Sequence, residues 1–281
     1  MESGDRLFPY NRWNPKLAQI SRDYQNGDPF PHYVFENFLE ESIARKVMEE
    51  FPKPHETSWI QYKHYNEKKL GKSKREEFPP LLGRLADEFN SPEFVDFLSK
   101  LSGISGLMAD PLLEGGGLHQ SGMGGFLNVH ADFTMNHYHK NWRRRLNLIL
   151  YLNEGWKEEW NGSLELWDKD MKYCARKVVP ELNRAIVFNT GETSHHGFPD
   201  RLQCPPGVTR KSLALYYYTL QDDPRYKARS TNYHARPGEG WKTPLIWADK
   251  KVLHLYSIAK SKLGLSDDFA SKILGWFNKD K

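Results

Sequence analysis

From residue 29 onward, apolar positions fall into short strand-like and longer helix-like patterns. In PFPHYVFENFLEESIARKVMEEFP, Tyr33 to Phe35 read as a short strand. Leu39, Ile43, Val47 and Phe51 then recur every four residues, which predicts a helix from Glu40 to Phe51. The stretch His64 to Glu77 (HYNEKKLGKSKREE) has no apolar period and predicts an exposed loop. Helical patterns return over Pro80 to Phe89 and Pro92 to Leu101, so residues 1–110 read as a mainly helical support.

After Asp110-Pro111 glycines cluster and the period shortens. Strands are predicted at Gly125 to His130, Arg144 to Leu152, Ser163 to Trp167, Lys172 to Val179, Arg184 to Asn189 and Arg210 to Thr219. Many short strands separated by Gly, Pro and Asn point to an antiparallel sandwich or open barrel over residues 111–220, not to alternating βαβ units. From Gln221 the chain is a polar connection and then two helical patterns, Ala248 to Leu263 and Asp267 to Phe277, making a C-terminal tail over 221–281. The expected plan is mainly β with flanking helices (α+β), one catalytic domain over 1–281.

Composition agrees with a packed core: 38% of residues are hydrophobic and 14% aromatic, which excludes a disordered chain. No run approaches the ~20 apolar residues of a membrane span, and Met1 to Tyr10 lacks a signal-peptide pattern, so a cytoplasmic protein is expected. Cys174 and Cys204 are too few for a thiolate metal site or a disulfide scaffold and read as bystanders. A net charge of +4 falls short of the cationic stripe that nucleic-acid binding calls for. Eleven histidines remain as the richest source of chemistry.

His130 and Asp132 stand two residues apart, and on a strand that spacing puts both side chains on one face. His196 follows 64 residues after Asp132, just beyond the apolar run Ala185 to Phe188. Two imidazoles and one carboxylate on one side of an ion leave positions open, the arrangement of non-haem Fe(II) oxygenases. Alone, H-x-D is common by chance. Arg210, 14 residues after His196 at the head of RKSLALYYYT, adds a planar cationic fork suited to a carboxylate. His137-Tyr138-His139 has the same-face spacing too, and is the competing reading as a zinc or cupin-type set.

Taken in order, HADF, RRLNLILYLNEGW, NGSLELWD, PELNRAIVFNTGETSHHGFP and TRKSLALYYYT resemble the 2-oxoglutarate- and Fe(II)-dependent dioxygenase superfamily in its prolyl-4-hydroxylase-like branch. PFPHYVFENFL extends the likeness toward the N-terminus. The resemblance implies a distorted double-stranded β-helix, a jelly-roll of cupin-like type, using Fe(II), 2-oxoglutarate and O2. It implies metal ligation by His130, Asp132 and His196; the ligand precedes glycine in the family, which selects His196 over its neighbour His195. It gives Arg210 the distal carboxylate of 2-oxoglutarate, aided by Ser212 and Tyr151, with Asn147 as a further pocket residue. A carboxylate at Asp132, where related halogenases carry a small residue, implies hydroxylation of an unactivated C-H bond with release of succinate and CO2; desaturation and cyclisation stay open.

The substrate expectation is a small molecule or amino acid. Arg143 to Arg145, Lys140 and the basic residues of Lys63 to Arg75 point to an anionic one. A protein or peptide hydroxylase of prolyl type is the alternative, and a nucleotide or nucleic-acid oxygenase a further one. Expected substrate contacts are His119, His137, His139, Arg144 and Trp167, and the polar tail Ser230 to Gly240 is expected to cover the mouth. The sequence sets no oligomeric state.

Overall fold

In the computed structural model, which describes residues 6–249 and 251, the N-terminal part carries α1 (Tyr10–Trp13), α2 (Leu17–Gln25), β1 (His32–Phe35), α3 (Glu41–Glu49), the hairpin β2 (Ile60–His64) and β3 (Glu67–Lys72), α4 (Pro80–Phe89) and α5 (Pro92–Ser102). Local chemistry sets the helix ends. On α5, Ser91 accepts the amide of Phe94 at 3.3 Å, Pro92 takes the first helical position, and Gly103 stops the helix at φ +71°. Then follow β4 (Met108–Ala109), β5 (Gly117–Ser121), β6 (Phe126–Ala131), β7 (Trp142–Tyr151), β8 (Leu164–Trp167), β9 (Cys174–Val178), β10 (Ala185–Asn189), β11 (His196–Phe198), β12 (Arg210–Leu220) and β13 (Asn232–Tyr233).

Strand neighbours run β1-β10-β7-β12-β5-β3-β6-β11-β8-β9, with β13 on β6, β2 on β3 and β4 on β12, and the pairings are antiparallel. The sheet folds back on itself. Asn147 of β7 reaches Asp132, one residue past β6, at 2.9 Å, although β12, β5 and β3 lie between those strands in sheet order. The result is the distorted double-stranded β-helix.

Period-2 alternation divides the two faces. On β7, Leu146, Leu148 and Leu150 face outward into a core shared with Phe35, Phe38, Phe89, Phe94 and Phe97, and Leu213, Leu215 and Tyr217 of β12 join them. Their strand neighbours Asn147, Ile149, Arg210, Ser212, Ala214 and Tyr216 line the interior instead. The helices thus back one wall of the barrel and leave its inside for chemistry. Among the described residues no helix is long and apolar enough to cross a membrane.

Two expectations are corrected. Residues 64–77 are not a loop: β3 sits inside the sheet between β5 and β6, with Asn66, Glu67 and Lys72 buried. Its inward residues are polar because they line a polar cavity, so no apolar period marks the strand. The sheet also extends beyond 111–220, taking β1, β2, β3, β4 and β13 from the flanks. The helical patterns expected over 248–263 and 267–277 fall outside the described residues, save a helical stub over 243–249.

Candidate active site

The antiparallel register sets His130 on β6 directly opposite His196 on β11, with ring centroids 4.5 Å apart. The glycine after His196 is required by this approach. A Cβ on Gly197 would lie 2.8 Å from the Leu127 carbonyl and 2.9 Å from that of Asn128. Asp132 completes the cluster, its Oδ1 3.5 Å from His130 Nε2 and its Oδ2 3.5 Å from His196 Nε2. One ligand atom from each of the three lies within 4.8 Å of the others, and all three residues are buried.

Proton placement makes this a donor set for a cation. His130 Nδ1 bonds the Asn128 carbonyl at 2.9 Å and His196 Nδ1 bonds the Ser194 carbonyl at 2.9 Å. A carbonyl only accepts, so each Nδ1 carries a proton, and in the neutral form of each ring it is Nε2 that turns a lone pair toward the carboxylate. Burial lowers the pKa of His196 to about 4 against the pull of Asp132. Burial also opposes the Asp132 charge, yet the Arg144 guanidinium, followed by the two imidazoles, holds its carboxyl well below the usual range. Two imidazoles and a carboxylate facing one another in a buried site fit a divalent metal.

Arg144 and Asn147 orient the carboxylate. Arg144 Nη2 stands 3.2 Å from Asp132 Oδ2, and Asn147 Nδ2 donates to the same oxygen at 2.9 Å while its Oδ1 accepts from Arg144 Nε and Nη2 at 2.9 and 2.7 Å. The guanidinium also lies 3.4 Å from the Tyr216 ring centroid. Residues three apart on a strand ordinarily point to opposite faces. Here Tyr217 pairs with Leu146 but Tyr218 pairs with Arg144, so Arg145 is an extra residue and β7 bulges. The bulge reverses alternation and turns Arg144 inward.

A cavity of about 230 Å³ runs from the cluster to Arg210 on β12. Arg210 is buried; its Nε donates to the Gly162 carbonyl at 2.7 Å, its Nη2 lies 3.4 Å from the Tyr151 hydroxyl, and its guanidinium sits 4.2 Å from the Phe198 ring centroid. None of these partners is an anion, and burial holds the Arg210 pKa below its ordinary value. Ser212 pairs in register with Tyr151 on one side and His119 on the other. His119 is kept neutral by burial, then by the Lys69 charge, its pKa lowered to about 3. A buried cation without a carboxylate partner among the described residues, flanked by hydroxyls, fits the distal carboxylate of a keto diacid.

Of the expected substrate contacts, His119 and Arg144 lie on the cavity wall, Arg144 as partner of Asp132. Three do not. His137 is exposed and bonds Glu114, His139 stacks on Trp142 at 4.0 Å, and Trp167 is buried with its Nε1 donating to Glu165 at 2.9 Å. Same-face spacing at 137 and 139 is spent on a surface turn, and the Trp167 indole satisfies its N–H away from the cavity. Asn147, expected in the cosubstrate pocket, lines the cavity and also holds Asp132. The cavity is also lined by Tyr62, Glu67, Phe133 and Tyr216, which the sequence reading did not single out, by Lys69 of its basic stretch and by Tyr233 of its polar tail. Tyr233 places its ring 5.4 Å from His130, so the tail runs alongside the site.

The profile of the 2OG-Fe(II) oxygenase superfamily matches residues 116–218, which contain the whole cluster and Arg210. The chain is 26% identical over 211 residues to the Mus musculus protein named Prolyl 3-hydroxylase OGFOD1; the match covers 71% of this chain and 35% of that protein, so the chain spans about a third of the relative's length. Among solved structures, a Pseudomonas putida prolyl-4-hydroxylase aligns with TM-score 0.49 and 18% identity, covering 73% of this chain and 99% of that one. A Trichoplax adhaerens prolyl hydroxylase, solved with a hypoxia inducible factor peptide fragment, aligns with TM-score 0.49 and 17% identity over 73% and 91%.

Proposed function

We propose that this chain, which belongs to the 2OG-Fe(II) oxygenase superfamily through residues 116–218, hydroxylates a peptide or protein segment, with prolyl residues as the leading target. It is a 2-oxoglutarate-dependent dioxygenase, and its cofactors are Fe(II), 2-oxoglutarate and O2. The observation that carries the reading is the buried His130, Asp132 and His196 cluster opening into the same cavity as an anion-free Arg210. His130, Asp132 and His196 would hold the iron, and Arg210, Tyr151 and Ser212 the distal carboxylate of the cosubstrate. Bound iron supplies the coupled oxidation in which 2-oxoglutarate and O2 become succinate and CO2 and one oxygen atom enters a C-H bond. The protein's own work is positional: Arg144 and Asn147 hold Asp132 toward the imidazoles, and the Asn128 and Ser194 carbonyls fix the Nδ1–H tautomer that turns each neutral ring's Nε2 to the same point.

The sequence alone favoured a small-molecule substrate. The relative whose sequence matches most of this chain is named a prolyl hydroxylase, which supports the peptide alternative instead. The test is to incubate the Fe(II) protein with 2-oxoglutarate and a panel of proline-containing peptides, amino acids and nucleotides, reading products heavier by one oxygen and succinate formed. Peptide products that vanish in His130→Ala and Asp132→Ala are expected. Products from amino acids alone would reject the peptide reading, and undiminished turnover in both variants would reject the site.

A further inference from the structure

The β2–β3 hairpin brings four charged groups into one line at the cavity wall. Lys69 Nζ, on the inward face of β3, stands 2.9 Å from Glu67 Oε2 and 5.0 Å from the Tyr62 ring centroid. Glu67 Oε1 meets His64 Nε2 at 2.9 Å, and His64 Nδ1 meets Asp249 Oδ2 at 2.8 Å. Asp249, in the stub beyond β13, also accepts the Tyr65 amide at 3.2 Å and Asn66 Nδ2 at 2.5 Å, so it grips the hairpin turn from three sides. Asn66 is in turn bonded to Asn128, the residue whose carbonyl orients His130.

The line alternates in sign. Burial works against the imidazolium of His64, but bonds to Asp249 and Glu67 hold its pKa up to about 9, so the ring is charged at neutral pH. Burial likewise opposes the Glu67 charge, which Lys69 and His64 nonetheless keep far below the usual carboxylate range. Lys69 (+), Glu67 (−), His64 (+) and Asp249 (−) sum to zero. An ammonium has three N–H donors, and among the described residues Glu67 is the one acceptor beside this one. Lys69 therefore offers the cavity a strong donor without offering it net charge. A neutral acceptor gains a charge-assisted hydrogen bond there, whereas an anionic group must also meet the nearby Glu67 carboxylate.

We propose that Lys69 is the specificity-determining residue of this cavity, donating to a backbone carbonyl of the substrate, with Glu67, His64 and Asp249 as the positioning residues that hold it. The inference rests on the peptide reading above and names the group that would recognise the peptide. It assigns a task to a hairpin that ligates neither metal nor cosubstrate.

The test uses the full chain loaded with Mn(II), which supports no turnover, and 2-oxoglutarate, titrated with capped neutral proline-containing pentapeptides. In parallel peptides, one carbonyl at a time is replaced by the weaker acceptor thiocarbonyl. Lys69→Met should bind the peptides about 10- to 100-fold more weakly, the size of one hydrogen bond to a charged group, with 2-oxoglutarate affinity unchanged. One thiocarbonyl position should weaken binding to the wild type and have no effect in the variant. Equal peptide affinity in wild type and Lys69→Met would overturn the role of Lys69 and leave the peptide reading standing. Binding of carboxylate-bearing metabolites but of no peptide to the wild type would overturn both. Should Lys69→Met lose 2-oxoglutarate as well, the decision passes to Glu67→Gln, which leaves Lys69 uncompensated. That variant should shift preference about tenfold from neutral pentapeptides toward ones with aspartate beside proline, and an unchanged ratio rejects the proposal.

Discussion

Replacing Arg210 by Met should make the ligand-free protein more stable and the 2-oxoglutarate complex much weaker. The side chain is buried against a carbonyl, a hydroxyl and an aromatic ring, with no anion to offset its desolvation. Exchanging such a cation for an apolar group of similar length is neutral or stabilising by about 1–3 kcal/mol. With the distal carboxylate in place the balance reverses, because losing one partner of a buried hydrogen-bonded charge pair costs about 2–5 kcal/mol, or about 30- to 5,000-fold in affinity. At a 2-oxoglutarate concentration 100 times the wild-type Kd, the ligand adds about 2.7 kcal/mol to wild-type stability. That corresponds to a rise in Tm of about 5 °C for a protein of this size. In Arg210→Met with Kd raised ~300-fold, the same concentration adds only about 0.2 kcal/mol. Differential scanning calorimetry of the Mn(II) protein with and without 2-oxoglutarate reads both effects, and Mn(II) affinity should be equal in the two proteins. A variant that keeps the full ligand-induced rise in Tm would refute the assignment of Arg210. Loss of Mn(II) binding would show that Arg210 acts on the metal cluster instead.

Two further outcomes follow from the geometry. Asn147→Leu removes a donor to Asp132 and an acceptor for Arg144, and should weaken metal binding about 10- to 100-fold in competition with a chromophoric chelator; wild-type affinity would mean that Asp132 needs no such support. His64 titrates near 6.5 in an unfolded chain but at about 9 here, so its contribution is fully present below pH 6.5 and is lost as pH rises through 9. Urea midpoints should fall across that window by up to about 3 kcal/mol of stability, and His64→Gln should remove this part of the slope; parallel slopes in both proteins would contradict the charged His64.

The cluster was readable in the sequence because each member sits where local rules act simply. His130 and Asp132 share one face of a strand, and His196 follows an apolar strand and precedes a glycine that lets β11 approach β6. Arg210 was equally plain, a cation opening an alternating strand. The hairpin was hidden because its inward positions, Glu67, Lys69 and Gly71, carry charge or no side chain, so hydrophobic periodicity is silent there. Tyr233 comes from 101 residues beyond Asp132 and meets His130 through a two-residue strand that no local pattern announces. His137, His139 and Trp167 had suitable types and spacing, but their partners Glu114, Trp142 and Glu165 take them elsewhere.

Strict alternation on β7, counted back from Tyr151 and Asn147, would bring Arg145 or Arg143 into the barrel. The extra residue at Arg145 delivers Arg144 to Asp132 instead. Deleting Arg145 would regularise the ladder between β7 and β12, keep the outer leucines against the helices, and leave Arg144 directly before Leu146, still opposite Tyr218 on the inward face. Which of three consecutive arginines meets the Asp132 carboxylate is therefore decided by backbone register and not by residue type.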